Sequence, residues 1–409
     1  MVSPSRASPA ATLGAANLIA QALSFVNGLL MARGLGTVGR GQVALVAAYD
    51  DISTNGLTLG VPVGVGYFVT QPSDDAALRE RRLLGAALKV SFWSTAAAIV
   101  LGWLVYEFAV AGSPEAIRWI VFAAIGTTPV VNTVPMAARM ILMARGQLRR
   151  MAAVAISVTL MRLLAFLGLI VAGEFSAVTA AVAFIGGGWA SNALALVVTG
   201  VRPSMGEPVG PLLRFGSKTI VASLSTMANS RVDQVLIAAF VGTGELGIYA
   251  VAVGISFVPQ NVASSLSSAL YRESAHDSVD RRLTTRRVRR AIKFSLAAAA
   301  VSAIGAAATI PILYGSDFRG AIVPAVILCF ASAALGASSI LVGVGNSTGH
   351  PEIGSWSSFG ALLVTGFGLA VALPLLGIVG AALVTLAAYS VRWMVADRMC
   401  RTRAITFVK

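Results

Sequence analysis

Asp50, Asp51, Arg139, Arg162, Arg231 and Asp233 stand inside long apolar runs of a chain in which only 12% of residues are charged. An ion in such a setting is costly, and it persists where it pairs, lines a wet cavity or binds something. Adjacent acids such as Asp50 and Asp51 suit a coupling-cation site, for H+ or Na+, or an ion pair with an arginine. Neighbours on a helix diverge by about 100°, so one of the two at most faces a cavity directly. Arg162 and Arg231 suit the binding of a substrate anion. For Arg162 an internal ion pair with Asp50 or Asp51 is the competing role. Arg231 and Asp233 are two apart, on roughly opposite helix faces, so each needs a different partner. Arg139, near the end of its apolar run, is expected to snorkel toward headgroups.

The elements that must hold these residues are membrane-spanning helices. Of 409 residues, 56% are hydrophobic and the mean hydropathy is +0.81, far from a soluble domain with roughly 25% charged residues. A span needs about 20 apolar residues. Cutting the chain on that rule predicts twelve, from 11–32 to 377–397, with the second drawn unbroken over 42–69 and "LPLLGIVG" as a tight turn between the last two. The net charge of +14 suits nucleic acid only if the basic residues gather on one soluble surface. They do not: with both termini inside, 24 of the 31 Lys and Arg fall on cytoplasmic segments and four on the outer side. That asymmetry orients the chain and meets anionic lipid headgroups, so nucleic acid is not expected. A multi-pass membrane protein with both termini cytoplasmic is the corresponding expectation.

Two segments repeat. "LGTVGRGQVALVAA" from Leu35 aligns with "VGTGELGIYAVAVG" from Val241 at an offset of 206, matching Gly36 with Gly242, Thr37 with Thr243 and Gly41 with Gly247. The expected architecture is therefore all-α and polytopic, about twelve transmembrane helices in two six-helix lobes, residues 1–205 and 206–409, related as parallel repeats. Transporters of repeated design place their substrate path at the repeat interface. Polar stripes fit this plan: Asn17 and Gln21 on the first span, Asn55 on the second, Asn229 with Asp233 on the seventh, Gln260 and Asn261 on the eighth. Together with Arg162 and Arg231 they form the candidate cavity; joining helices by hydrogen bonds is the alternative use of the uncharged ones. The aspartates at 50 and 51 have no polar mates in the second repeat, where Ser256 and Phe257 stand, so an ion site there belongs to one lobe.

Cys329 and Cys400, far apart in sequence, predict neither a disulfide nor a metal site, and no cofactor is expected. No His/Asp/Glu constellation or nucleotide loop appears, and the outer connections are short, which argues against a membrane enzyme.

Three stretches resemble a known family. "ARGLGTVGRGQVALV" is similar to the first-hairpin segment of polysaccharide flippases, "RVDQVLIAAFVGTGELGIYAVAV" to their seventh-to-eighth-span signature, and "LPLLGIVGAALVTLAAYSV" to their closing hairpin. The chain thus resembles the multidrug/oligosaccharidyl-lipid/polysaccharide (MOP) exporters, Wzx-type branch. That resemblance implies a V-shaped pair of lobes and alternating access. It implies a cargo of undecaprenyl-pyrophosphate-linked oligosaccharide, with a polysaccharide polymerase and glycosyltransferases as working partners. By position, Asp233 matches the family's seventh-helix Asp, while Arg33, Gly36, Gly41, Gly242, Gly247 and Tyr249 match its hairpin motifs as turn-shaping residues. Lipid II flippases of the family carry basic residues in the first spans, which are absent here between Ala11 and Ala32. Its cation-coupled multidrug exporters carry carboxylates in the N-terminal lobe, as Asp50 and Asp51 do.

Overall fold

The computed structural model describes residues 9–72, 74–204, 208–274, 281–347, 350 and 352–402. Among these every regular element is a helix. In chain order they are α1 (Pro9–Leu57), α2 (Val61–Val69), α3 (Ala76–Leu104), α4 (Glu115–Ala144), α5 (Leu148–Val171), α6 (Ala177–Thr199), α7 (Val209–Phe240), α8 (Thr243–Ser274), α9 (Arg281–Thr309), α10 (Ile322–Ser347) and α11 (Glu352–Thr402). Nine segments are long and apolar enough to cross a membrane. Two of them, α1 and α11, are far longer than a bilayer needs and are each broken once, at Gly36 (φ 66°) and Gly377 (φ 54°). Only glycine takes that left-handed turn without strain. Counting each broken helix twice and adding the 32-residue α7 gives twelve. The chain is a multi-pass membrane protein of all-α architecture. Large apolar side chains such as Phe92 (78% exposed), Trp93 (79%) and Phe367 (76%) cover its outside, which lipid, not water, tolerates.

Three details depart from the segmentation read off the sequence. The second span is not continuous: Thr58 to Gly60 break it, Leu59 has φ 52° and Gly60 φ 66°, and α2 restarts with Pro62 in its first turn. A Pro there lacks only an amide that the helix start leaves unbonded anyway. The basic stretch from residue 281 is helical, the opening turns of α9. The last helix runs past residue 397 to Thr402 and carries Cys400, fully buried with Ile340, Leu341 and Val344.

Two compact units emerge, one of residues 1–35 and 45–227, the other of 36–44 and 228–409. In the first, α4 packs on α2, α3 and α6; in the second, α10 packs on α8, α9 and α11. Spans four and ten, equivalent in the repeat, are thus the hubs of their units. The equivalence extends to detail. The C-terminal ends of α3 and α9 both widen into a π turn, Val105–Ala109 and Ile310–Tyr314, a form common at functional positions. Elsewhere in the first unit a buried apolar cluster gathers Val65, Leu84, Ile141 and Leu212. Beside it Arg145 donates from Nε to Glu80 (2.9 Å), and the two also pair through Nη2.

Within the second unit the repeated hairpin glycines meet each other. A Cβ on Gly41 would fall 1.6 Å from the carbonyl oxygen of Thr243, and a Cβ on Gly247 would fall 1.9 Å from that of Thr37. Each would also lie 2.9 Å from the other glycine's amide nitrogen. Since 37 pairs with 243 and 41 with 247 in the repeat, the contact is reciprocal: one approximate two-fold relates the hairpin strands that carry it.

Candidate functional site

In the first unit, Arg162 sits near the middle of α5. Its Nε donates to the Phe184 carbonyl of α6 at 2.8 Å, and its guanidinium lies 3.6 Å from the centroid of the Phe184 ring. Three successive glycines on α6 make the niche. A Cβ at Gly187 would lie 2.7 Å from Arg162 Cγ and one at Gly188 3.3 Å from Nη2, while Gly186 faces open space. Asp50 and Asp51, half-buried on α1, both act electrostatically on this guanidinium. The ensemble can hold a positive charge at membrane depth, balanced by two carboxylates that another anion can replace.

Next to it runs a chain of side-chain hydrogen bonds that sequence reasoning missed. Asn132 of α4 donates to Thr54 Oγ1 (2.6 Å), and Asn192 of α6 donates to Asn132 Oδ1 (2.6 Å). Ser53 pairs with Thr128 (3.0 Å), and Ser157 of α5 with Ser191 (2.9 Å). Arg139 is part of it: its Nη2 donates to Asn192 Oδ1 (2.9 Å) and Ser191 Oγ (3.4 Å). The signal was present as Pro135. A proline inside a helix supplies no amide to the carbonyl four residues back, here that of Val131, and Asn192 Nδ2 donates to it instead at 3.2 Å.

In the second unit Asp233, 6% exposed, accepts from the Tyr249 hydroxyl at 2.6 Å and from the Gln234 amide at 2.8 Å. Arg231 Nη1 donates to Gln234 Oε1 at 3.2 Å, and its charge also acts on Asp233. Tyr249 therefore does more than shape a turn: it ties α8 to α7 through the carboxylate.

The remaining candidates fall apart from these groups. Asn17 and Gln21 are exposed on α1. Asn55 is exposed and donates to the Asp51 carbonyl at 2.8 Å, within its own helix. Asn27, repeat mate of Asp233, is buried and donates to the Thr159 carbonyl at 2.9 Å. Gln260 and Asn261 are half-buried on α8. Asn229 lies on α7, but its side chain falls outside the described residues. Among the described residues no cluster of His, Cys, Asp and Glu could hold a metal ion.

The fold has solved counterparts. It superposes on "Lipid II flippase MurJ, inward closed conformation" with TM-score 0.77 at 13% identity, covering 95% of this chain and 87% of that one. An inward-facing multidrug resistance MATE family transporter of the MOP superfamily gives 0.69 at 14%, covering 94% and 95%. The MATE multidrug transporter DinF-BH in complex with R6G gives 0.68 at 15%, covering 98% and 96%. At such identities the likeness is one of fold. No curated protein matches the sequence. The profile of the family described as "Polysaccharide biosynthesis protein" matches residues 9–271, well over half of the chain, and the chain therefore belongs to that family.

Proposed function

We propose that the protein is a flippase for undecaprenyl-pyrophosphate-linked oligosaccharide, turning the lipid from the inner to the outer leaflet of a bacterial cytoplasmic membrane by alternating access between lobes 1–205 and 206–409. The observation that carries it is Arg162: a guanidinium clamped by Phe184 in the middle of a span, in a member of a polysaccharide-biosynthesis family. A cargo with a pyrophosphate head needs cations at membrane depth, and a drug cation does not. Arg231 is the second such group, and Asp233, Asn229, Asn17, Gln21, Asn55, Gln260 and Asn261 are its proposed companions. Asp50 and Asp51 exchange between Arg162 and a coupling H+ or Na+. The fold also serves cation-coupled multidrug export, and lipid II is a further cargo of the same chemistry.

The test is reconstitution in vesicles, scoring transfer of a lipid-linked oligosaccharide and of a cationic dye side by side. Wild-type protein should move the glycolipid, and Arg162→Gln or Arg231→Gln should lower its rate at least tenfold at equal protein incorporation. Dye movement without glycolipid movement would overturn the proposal in favour of drug export.

A further inference from the structure

We infer that Arg139, presented by Asn192 and Asn132, is a second phosphate-binding site on the first unit, at the depth of the inner-leaflet headgroups, that takes the pyrophosphate of the lipid-linked cargo. The cargo's identity rests on the flippase proposal above; the site itself rests on the geometry of Arg139.

Arg139 stands five residues before the inner end of α4 at Ala144, about 7 Å along the helix at 1.5 Å per residue. That is the level of lipid phosphates rather than of the bilayer centre, where Arg162 lies. Its guanidinium is held from one side only. Nη2 is bonded to Asn192 and Ser191, Nε is buried without a partner, and Nη1 makes no bond among the described residues. Among the described residues it makes no ion pair with a carboxylate. A structural arginine in a membrane protein normally ends on an acid or on backbone carbonyls. This one ends on two neutral groups and leaves the rest of its donors unused.

The support behind it is rigid. Pro135 frees the Val131 carbonyl, Asn192 Nδ2 takes it together with Asn132 Oδ1, and so Asn192 Oδ1 is forced toward Arg139. The amide orientation follows from these partners. A guanidinium aimed by fixed neighbours, uncompensated and at headgroup depth, is built for a phosphate-bearing ligand.

The test uses full-length protein in nanodiscs of phosphatidylcholine, with undecaprenyl pyrophosphate, undecaprenol and phosphatidylglycerol as probes. Wild-type protein should prefer the pyrophosphate lipid over undecaprenol, and Arg139→Gln should cut that preference at least tenfold. That is what losing one charge-assisted hydrogen bond of ~1.5–3 kcal/mol predicts. Arg139→Lys should recover part of it. An Arg139→Gln protein that binds all three probes as wild type does would overturn the site. A loss for phosphatidylglycerol equal to that for undecaprenyl pyrophosphate would overturn the assignment to the cargo and make it a general lipid site. Should Arg139→Gln fail to fold, phenylglyoxal labelling of Arg139 in the unaltered protein replaces it. Undecaprenyl pyrophosphate, and not undecaprenol, should protect that residue, and equal labelling under both would sink the inference. Binding without movement would leave the site standing and defeat only the flippase proposal.

Discussion

The glycine run on α6 offers a sharp test because three adjacent positions should respond differently. At Gly187 an added Cβ meets Arg162 Cγ at 2.7 Å and the Arg162 backbone nitrogen at 3.2 Å. Carbon atoms rest about 3.5 Å apart, so Cγ must yield by roughly 0.8 Å. A shift of that size carries the Nε–Phe184 contact from 2.8 Å beyond the ~3.2 Å limit of a sound hydrogen bond. A hydrogen bond to a charged group is worth ~1.5–3 kcal/mol and the stacked cation about 0.5–2 kcal/mol. Alanine's better helix propensity returns about 1 kcal/mol. Gly187→Ala should therefore destabilise by ~1–4 kcal/mol. Gly186→Ala, which meets nothing, should be neutral or stabilising by up to about 1 kcal/mol. Gly188→Ala, 3.3 Å from Nη2, should fall between. Unfolding in mixed micelles reads the series, and glycolipid transfer in vesicles should drop in the same order. If Gly186→Ala and Gly187→Ala unfold alike, the niche has been misread.

Two further outcomes follow from the second unit. Gly41→Ala and Gly247→Ala each push a methyl against a carbonyl of the other hairpin, and overpacking of this kind costs about 1–3 kcal/mol. Because the contact is reciprocal, the two variants should lower the thermal midpoint alike; a clear inequality would refute the two-fold relation. Tyr249→Phe removes the hydroxyl from Asp233 and strands a buried carboxylate, a loss of ~1–3 kcal/mol. Unfolding of the single variants and of the double variant Tyr249→Phe/Asp233→Asn measures it. Additive losses would show that the pair does not act as a unit.

Span number, membrane residence and the internal repeat were legible in the sequence, because each is a property of composition or of local spacing. Apolar runs of bilayer length must become helices, since no other structure satisfies the backbone in lipid. The hairpin motif recurring after 206 residues marked Gly41 and Gly247 as equivalent before their contact was seen. What the sequence left open was every choice of partner across spans. Position in the apolar run set Arg139 and Arg162 apart, but did not name the neighbours each would meet. Packing seats one against a glycine niche and a Phe ring, and ties the other to an asparagine that a proline had aimed. Asp50 and Asp51 have no basic residue within nine positions in sequence, yet the packing of α1 brings both within electrostatic reach of Arg162. Such pairings join residues 22 to 112 positions apart, and no periodicity within one helix encodes which face meets which neighbour. Only the tertiary arrangement decides that, because side-chain volumes and freed backbone groups select one packing among many that the same apolar pattern allows.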